Sequence, residues 1–126
     1  MTLSLSALPG HYCVVRLDAE AALPAWFSLA APLAAACRTA DELSLLCAEE
    51  DVPAAVPAER GLRAFKVAGP LDFSQTGILA AIAGPLGAAK IPIFALSTFE
   101  TDYVLVPAAR FAEAGEILSQ SFDVTA

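Results

Sequence analysis

Positive charge is scarce in this chain. Seven Lys and Arg stand against fourteen Asp and Glu, and a single histidine adds little, so the formal net charge is −7. The basic residues are also scattered, with no aromatic side chains interleaved among them. A nucleic-acid surface needs several clustered cations to replace phosphate counterions, so no nucleic acid is expected as a partner. The acidity instead favours solubility and, where a small ligand binds, a cationic group on it.

Cysteine is sparse and odd in number: Cys13, Cys37 and Cys47. No pair has CxxC or metal-ligand spacing, which argues against a disulfide framework and a metal site and reads as small apolar residues in strands. The N-terminus lacks a basic region followed by an apolar one, so a reducing cytoplasm is the expected compartment. Catalytic patterns are missing as well. There is no GxSxG and no phosphate-cradling glycine motif. His11 has no partner in the linear sequence, and Ser97 has no visible base. The expectation is a protein that is not an enzyme, with no catalytic residue, no metal and no cofactor.

Long uninterrupted apolar runs are absent too. Residues 21–37 are too short to cross a bilayer and contain Pro24 and Pro32. Residues 77–96 have the length, but Lys90, Pro92 and the Gly/Pro cluster at 84–87 interrupt them. No membrane partner is expected. The 57% apolar content is rich in alanine, which adds little core volume. Burial therefore rests on Leu, Ile, Val and Phe, and a homo-oligomer, most simply a homodimer, would cover the remainder.

What is present is clearest in the second half. Residues 61–68 (GLRAFKVA) alternate as a half-buried strand. Gly69-Pro70 ends it, and Asp72, Ser74 and Thr76 are candidate helix N-caps. Leu79, Ile82, Ala83 and Leu86 then recur at helical spacing, with Pro85 inside the helix predicting a kink or a tightened last turn. Residues 91–96 (IPIFAL) read as a buried strand and 101–106 (TDYVLV) as another. Pro107 opens a last helix whose packing stripe is Phe111, Ala114, Leu118 and Phe122.

Between the two strands lies STFETD, Ser97 to Asp102. A plain hairpin turn needs two to five residues and favours Gly or Asn; this one has neither, and five of its six side chains are polar. The first half holds a fainter copy. Residues 12–18 (YCVVRLD) form a strand, 34–39 and 43–47 bracket a polar turn, and in CRTADELSLL (37–46) Thr39 matches Thr98 and Glu42 matches Asp102, with one extra residue in the second copy. Trp26 and Phe27, in the alanine-rich 21–32 segment, are core or interface contacts. The Pro- and acid-rich 49–59 stretch suits a boundary, giving modules of 1–59 and 60–126.

Residues 69–106, GPLDFSQTGILAAIAGPLGAAKIPIFALSTFETDYVLV, resemble the signature of the small tandem ACT-domain proteins of bacteria, a pattern that extends to the ACT modules of the animal cytosolic arginine sensor. The likeness is close over residues 61–118 and looser over 12–48. It implies an α+β fold of two tandem ACT-like (ferredoxin-like βαββαβ) modules, with antiparallel sheets and helices on one face. The first module lacks a clear first helix, which leaves room for a degenerate copy.

The resemblance also implies an amino-acid site formed by the strand–helix loop and the hairpin. Asp72, Phe73, Ser74, Thr76, Gly77 and Ile78 would form one wall, where unpaired helix amides favour a carboxylate. Ser97, Thr98, Phe99, Glu100, Thr101 and Asp102 would form the other, with Glu100 or Asp102 accepting from a cationic end. The expected function is a regulatory or sensory amino-acid-binding protein that acts through an unidentified protein partner. The alternative is a ligand-free oligomeric interaction module, in which the first wall is an ordinary helix cap and the second a solvated turn.

Overall fold

The computed structural model describes residues 3–71 and 76–125. In chain order the strands are β1 (Ser4–Ala7), β2 (Tyr12–Leu17), β3 (Ala35–Arg38), β4 (Leu43–Ala48), β5 (Glu59–Val67), β6 (Phe94–Ser97), β7 (Asp102–Pro107) and β8 (Asp123–Thr125). The helices are α1 (Ile78–Ala88) and α2 (Phe111–Leu118). The backbone divides into two compact units: Pro9–Leu62, and a second that joins Met1–Leu8 to Arg63–Ala126.

In the N-terminal unit β4 is central. It pairs antiparallel with β2 from Tyr12↔Ala48 to Leu17↔Leu43, and with β3 from Ala35↔Leu46 to Arg38↔Leu43. The first residues of β5 join β2 across a register shift. Gly61, at φ +72°, lies there, as a left-handed residue in a bulge requires. Strand periodicity sends Leu43, Leu45 and Cys47 to one face, where they meet Cys13, Val15 and Val52 in a buried cluster. Residues 18–34 form neither an α-helix nor a strand. Trp26 and Phe27 from that loop pack on the cluster in place of the helix that an ACT-like module would supply.

The C-terminal unit holds both helices. β7 joins β6 to β5. β5 pairs antiparallel with β1 through Leu5↔Val67 and Ala7↔Phe65, and β1 runs parallel to β8. The sheet is therefore mixed, with the N-terminal strand lying between β5 and β8. Its core gathers Leu5, Phe65, Val67, Val104 and Val106 from the strands, Ile82 and Leu86 from α1, and Ala114 and Leu118 from α2. Both helices thus cover one face of the sheet. Phe111, at the start of α2, stacks on Phe65 with ring centroids 4.2 Å apart.

One local expectation is corrected. Residues 91–96 are not a buried strand: Ile91 is buried, but Ile93 is 36% exposed, and β6 alternates between half-buried and exposed side chains. The reason is topological, since among the described residues β6 pairs with β7 alone and its other edge has no partner strand. Helix α1 closes just after Gly87. The amide of Ile91 bonds the carbonyl of Leu86 at 2.9 Å and that of Lys90 bonds Gly87 at 3.0 Å, the paired bonds of a Schellman closure. The left-handed position belongs to Lys90, at φ +59°.

Candidate ligand cleft

The β6–β7 turn is built by one threonine. Thr98 N–H donates to the carbonyl of Thr101 at 2.8 Å. Its hydroxyl accepts the Thr101 amide at 3.3 Å and lies 3.1 Å from the Thr101 carbonyl. The N-terminal unit repeats this arrangement. There Thr39 N–H donates to the Glu42 carbonyl at 2.8 Å, and the Thr39 hydroxyl accepts the amides of Asp41 and Glu42, each at 3.1 Å. Because Arg38 faces Leu43 and Ser97 faces Asp102, the two turns, 39–42 and 98–101, have equal length. The extra residue inferred from the sequence is not there. Thr101, rather than Asp102, stands opposite Glu42 in the comparison.

That substitution matters. Thr101 is the one buried polar residue among those described, at 5% exposure, and its hydroxyl donates to the carbonyl of Val67 at 2.6 Å. Next to it, the Leu71 amide donates to the Glu100 carbonyl at 2.7 Å. The turn is therefore fastened to the segment leaving β5. A Cβ at Gly69 would lie 3.1 Å from the Glu100 carbonyl oxygen and 3.2 Å from Thr101 Cβ, so a residue without a side chain permits the close approach.

Beside this junction is a cleft of about 240 Å³ lined by Leu71, Gly77, Ile78, Leu79 and the whole of Ser97–Asp102. The start of α1 forms one side. Gly77 is its N-cap in a left-handed conformation (φ +80°) and, as a glycine, brings no capping side chain of its own. The first hydrogen bond within α1 runs from Ala81 to Gly77, so the amides of residues 78–80 have no partner inside the helix. On the other side Ser97 Oγ donates to Asp102 Oδ1 at 2.6 Å, while Phe99 is 89% exposed.

Gly77, Ile78 and the six hairpin residues thus come together around one cleft. Thr76 is not the helix cap, because Gly77 takes that position. It lines a separate depression of about 220 Å³ with Leu3, Ser121 and Phe122. Asp72, Phe73 and Ser74 lie outside the described residues. Sequence reading missed Leu71 and Leu79 as lining residues; Leu79 was legible only as part of the helical stripe, and Leu71 gave no signal.

In the N-terminal unit, arginines bond the backbone around the corresponding turn. Arg38, at the end of β3 where β6 has Ser97, donates from its guanidinium to the carbonyls of Ala19 and Ala21. Arg16 donates to the Asp41 carbonyl at 3.0 Å. Among the described residues, no group of three or more His, Cys, Asp or Glu could hold a metal ion, and no helix is long and apolar enough to cross a membrane.

The fold and the paired strand–helix and hairpin walls define an ACT-type α+β module, and the family comparison agrees. The ACT domain model matches residues 57–120, and the chain belongs to the ACT domain family; a second model, for an N-terminal domain, matches residues 10–55. The crystal structure of protein Atu0741 from Agrobacterium tumefaciens superposes with a TM-score of 0.90 at 32% identity, over all of this chain and 93% of that one. The chain is 44% identical over 54 residues to the bovine cytosolic arginine sensor for mTORC1 subunit 1, and 45% identical over 51 residues to the human protein. Those matches cover 43% and 40% of this chain and 16% of each relative, so the chain spans about a sixth of the sensors' length. Aspartate kinase from Clostridium acetobutylicum shares the fold, with a TM-score of 0.65 at 12% identity over 96% of this chain and 34% of the kinase.

Proposed function

We propose that this protein is a non-catalytic regulatory or sensory module that binds an amino acid with a cationic side chain in the 240 Å³ cleft. The observation that carries the reading is the pairing of chemistries across one gap. First-turn amides of α1, which have no partner inside the helix, suit a carboxylate, and Glu100 and Asp102 suit an ammonium or guanidinium. The N-terminal unit offers an internal parallel, because Arg38, just before its equivalent turn, sets a guanidinium against backbone carbonyls. ACT domains are typically amino-acid-binding regulatory modules, and the name of the similar animal protein declares it a cytosolic arginine sensor. Asp72, Phe73 and Ser74 complete the helix-side wall in this proposal, with Thr76 at its margin. The module works in the cytosol as a homodimer, and its output passes through a partner protein.

Calorimetric titration with the twenty amino acids tests this. Saturable binding at millimolar concentration or tighter is expected, strongest for the cationic side chains. Asp102→Asn should weaken it by about tenfold or more, the order of one lost charge-assisted hydrogen bond. Absence of binding for all twenty overturns the reading. A ligand-free interaction module is the second reading, favoured by the exposed Phe99 ring and by the β6 edge that has no partner strand among the described residues. Under it, Asp102→Ala would change stability or association with no ligand effect.

A further inference from the structure

We propose that the N-terminal unit carries a second small-molecule site, unrelated to the hairpin cleft, for a dipolar ligand with an anionic group at one end and a cationic group at the other. The site is a cleft of about 610 Å³ whose lining includes the charged Glu49, Glu50 and Arg60 and the imidazole of His11, all within Pro9–Leu62. Its volume falls in the range of ordinary ligand pockets.

Its walls are tied down by their own hydrogen bonds. The Glu49 amide donates to the His11 carbonyl at 3.0 Å. The Gly61 amide donates to Glu49 Oε1 at 2.5 Å, and the Tyr12 hydroxyl to the Pro9 carbonyl at 3.1 Å. Arg60 holds the rim, its Nη2 donating to the carbonyls of Pro53 and Val56 at 2.9 and 2.8 Å. Such bonds fix the lining before a ligand arrives, which lowers the entropic cost of binding.

The charges in this cleft do not satisfy one another. Among the described residues the only ion pair is Arg110 with Glu113, so Arg60 pairs with neither Glu49 nor Glu50 although all three line the same space. Arg60 spends one nitrogen on backbone carbonyls, and its remaining donors have no hydrogen bond among the described residues. The Glu50 carboxylate is likewise without one. Opposite charges held apart across a preformed cleft suit a molecule that bridges them, with its anion on Arg60 and its cation on Glu50 and Glu49. A ligand of one sign would leave the other half uncompensated.

The test is a two-dimensional NMR titration of the full chain with L-Ala-L-Ala. Its N-acetylated form, which lacks the cation, and its C-terminal amide, which lacks the anion, serve as controls. The expected result is saturable shifts at residues 10–12, 48–54 and 60–61. L-Ala-L-Ala should bind about tenfold or more tightly than either control. Glu50→Gln, at an exposed side chain with no hydrogen bond among the described residues, should markedly reduce the preference over the N-acetylated form, and Asp102→Asn should leave it unchanged. Free amino acids form a separate arm: shifts at the same residues place them among the dipolar ligands, and shifts confined to 97–102 assign them to the hairpin cleft instead. No saturable shift at the named residues with any probe, equal affinity for all three peptides, or a preference over the N-acetylated form that Glu50→Gln leaves undiminished overturns the proposal.

Discussion

Thr101 is the residue on which the geometry of the hairpin cleft turns. Its hydroxyl satisfies the Val67 carbonyl from a buried position, so Thr101→Val keeps the shape and leaves that carbonyl without its donor. A loss of about 1–3 kcal/mol is expected, read by denaturant unfolding, with Thr101→Ser recovering most of it. An unchanged midpoint would show that the hydroxyl does not fasten the turn. Cysteines give a second expectation at this scale. Burial pushes the Cys47 thiol up to about 12, and burial raises that of Cys13, which faces it across β2 and β4. Both thiols stay protonated at neutral pH, so alkylation of the folded protein at pH 8 should modify exposed Cys37 alone. Because the folded values exceed the unfolded ones, the associated stability is intact below pH 9 and declines as pH rises from 9 towards 12. A stability that is flat across that window would contradict the burial of the pair.

At the scale of elements, the closure of α1 makes a sharp prediction. Lys90 occupies a left-handed position that costs an L-residue about 1–2 kcal/mol and glycine little. Lys90→Gly should therefore stabilise the protein by about 0.5–1 kcal/mol after the added unfolded-state entropy is offset, seen as a higher thermal midpoint. A lower midpoint would place the helix end elsewhere. The elements also show what the sequence could reveal. α1 and α2 were legible because Ile82, Leu86, Ala114 and Leu118 repeat at helical spacing and are buried. The hairpin was legible from its polarity. β1 and β8 were not, because strands of four and three residues carry too little alternation to register and depend on partners distant in the chain. The exposure of β6 was hidden for a related reason, since a run such as IPIFAL says that a strand is apolar but not whether it lies at an edge.

At the scale of the whole molecule, the two units use one turn design for different ends. Thr39 and Thr98 organise the same four-residue turn, yet beside the first Arg38 bonds the carbonyls of Ala19 and Ala21, while a cleft lined by Ser97 lies beside the second. The faint echo in the sequence was legible through its threonines. The different surroundings of the two turns were not, because they depend on where one long side chain folds back. The central claim is that the hairpin cleft takes an amino acid with a cationic side chain. A crystal structure of the protein grown with a saturating concentration of L-arginine or L-lysine tests it most directly. The account predicts electron density between residues 77–79 and 97–102, with the carboxylate at the first amides of α1 and the cationic end at Asp102 or Glu100. An empty cleft under those conditions, or a ligand seated only elsewhere, would contradict it.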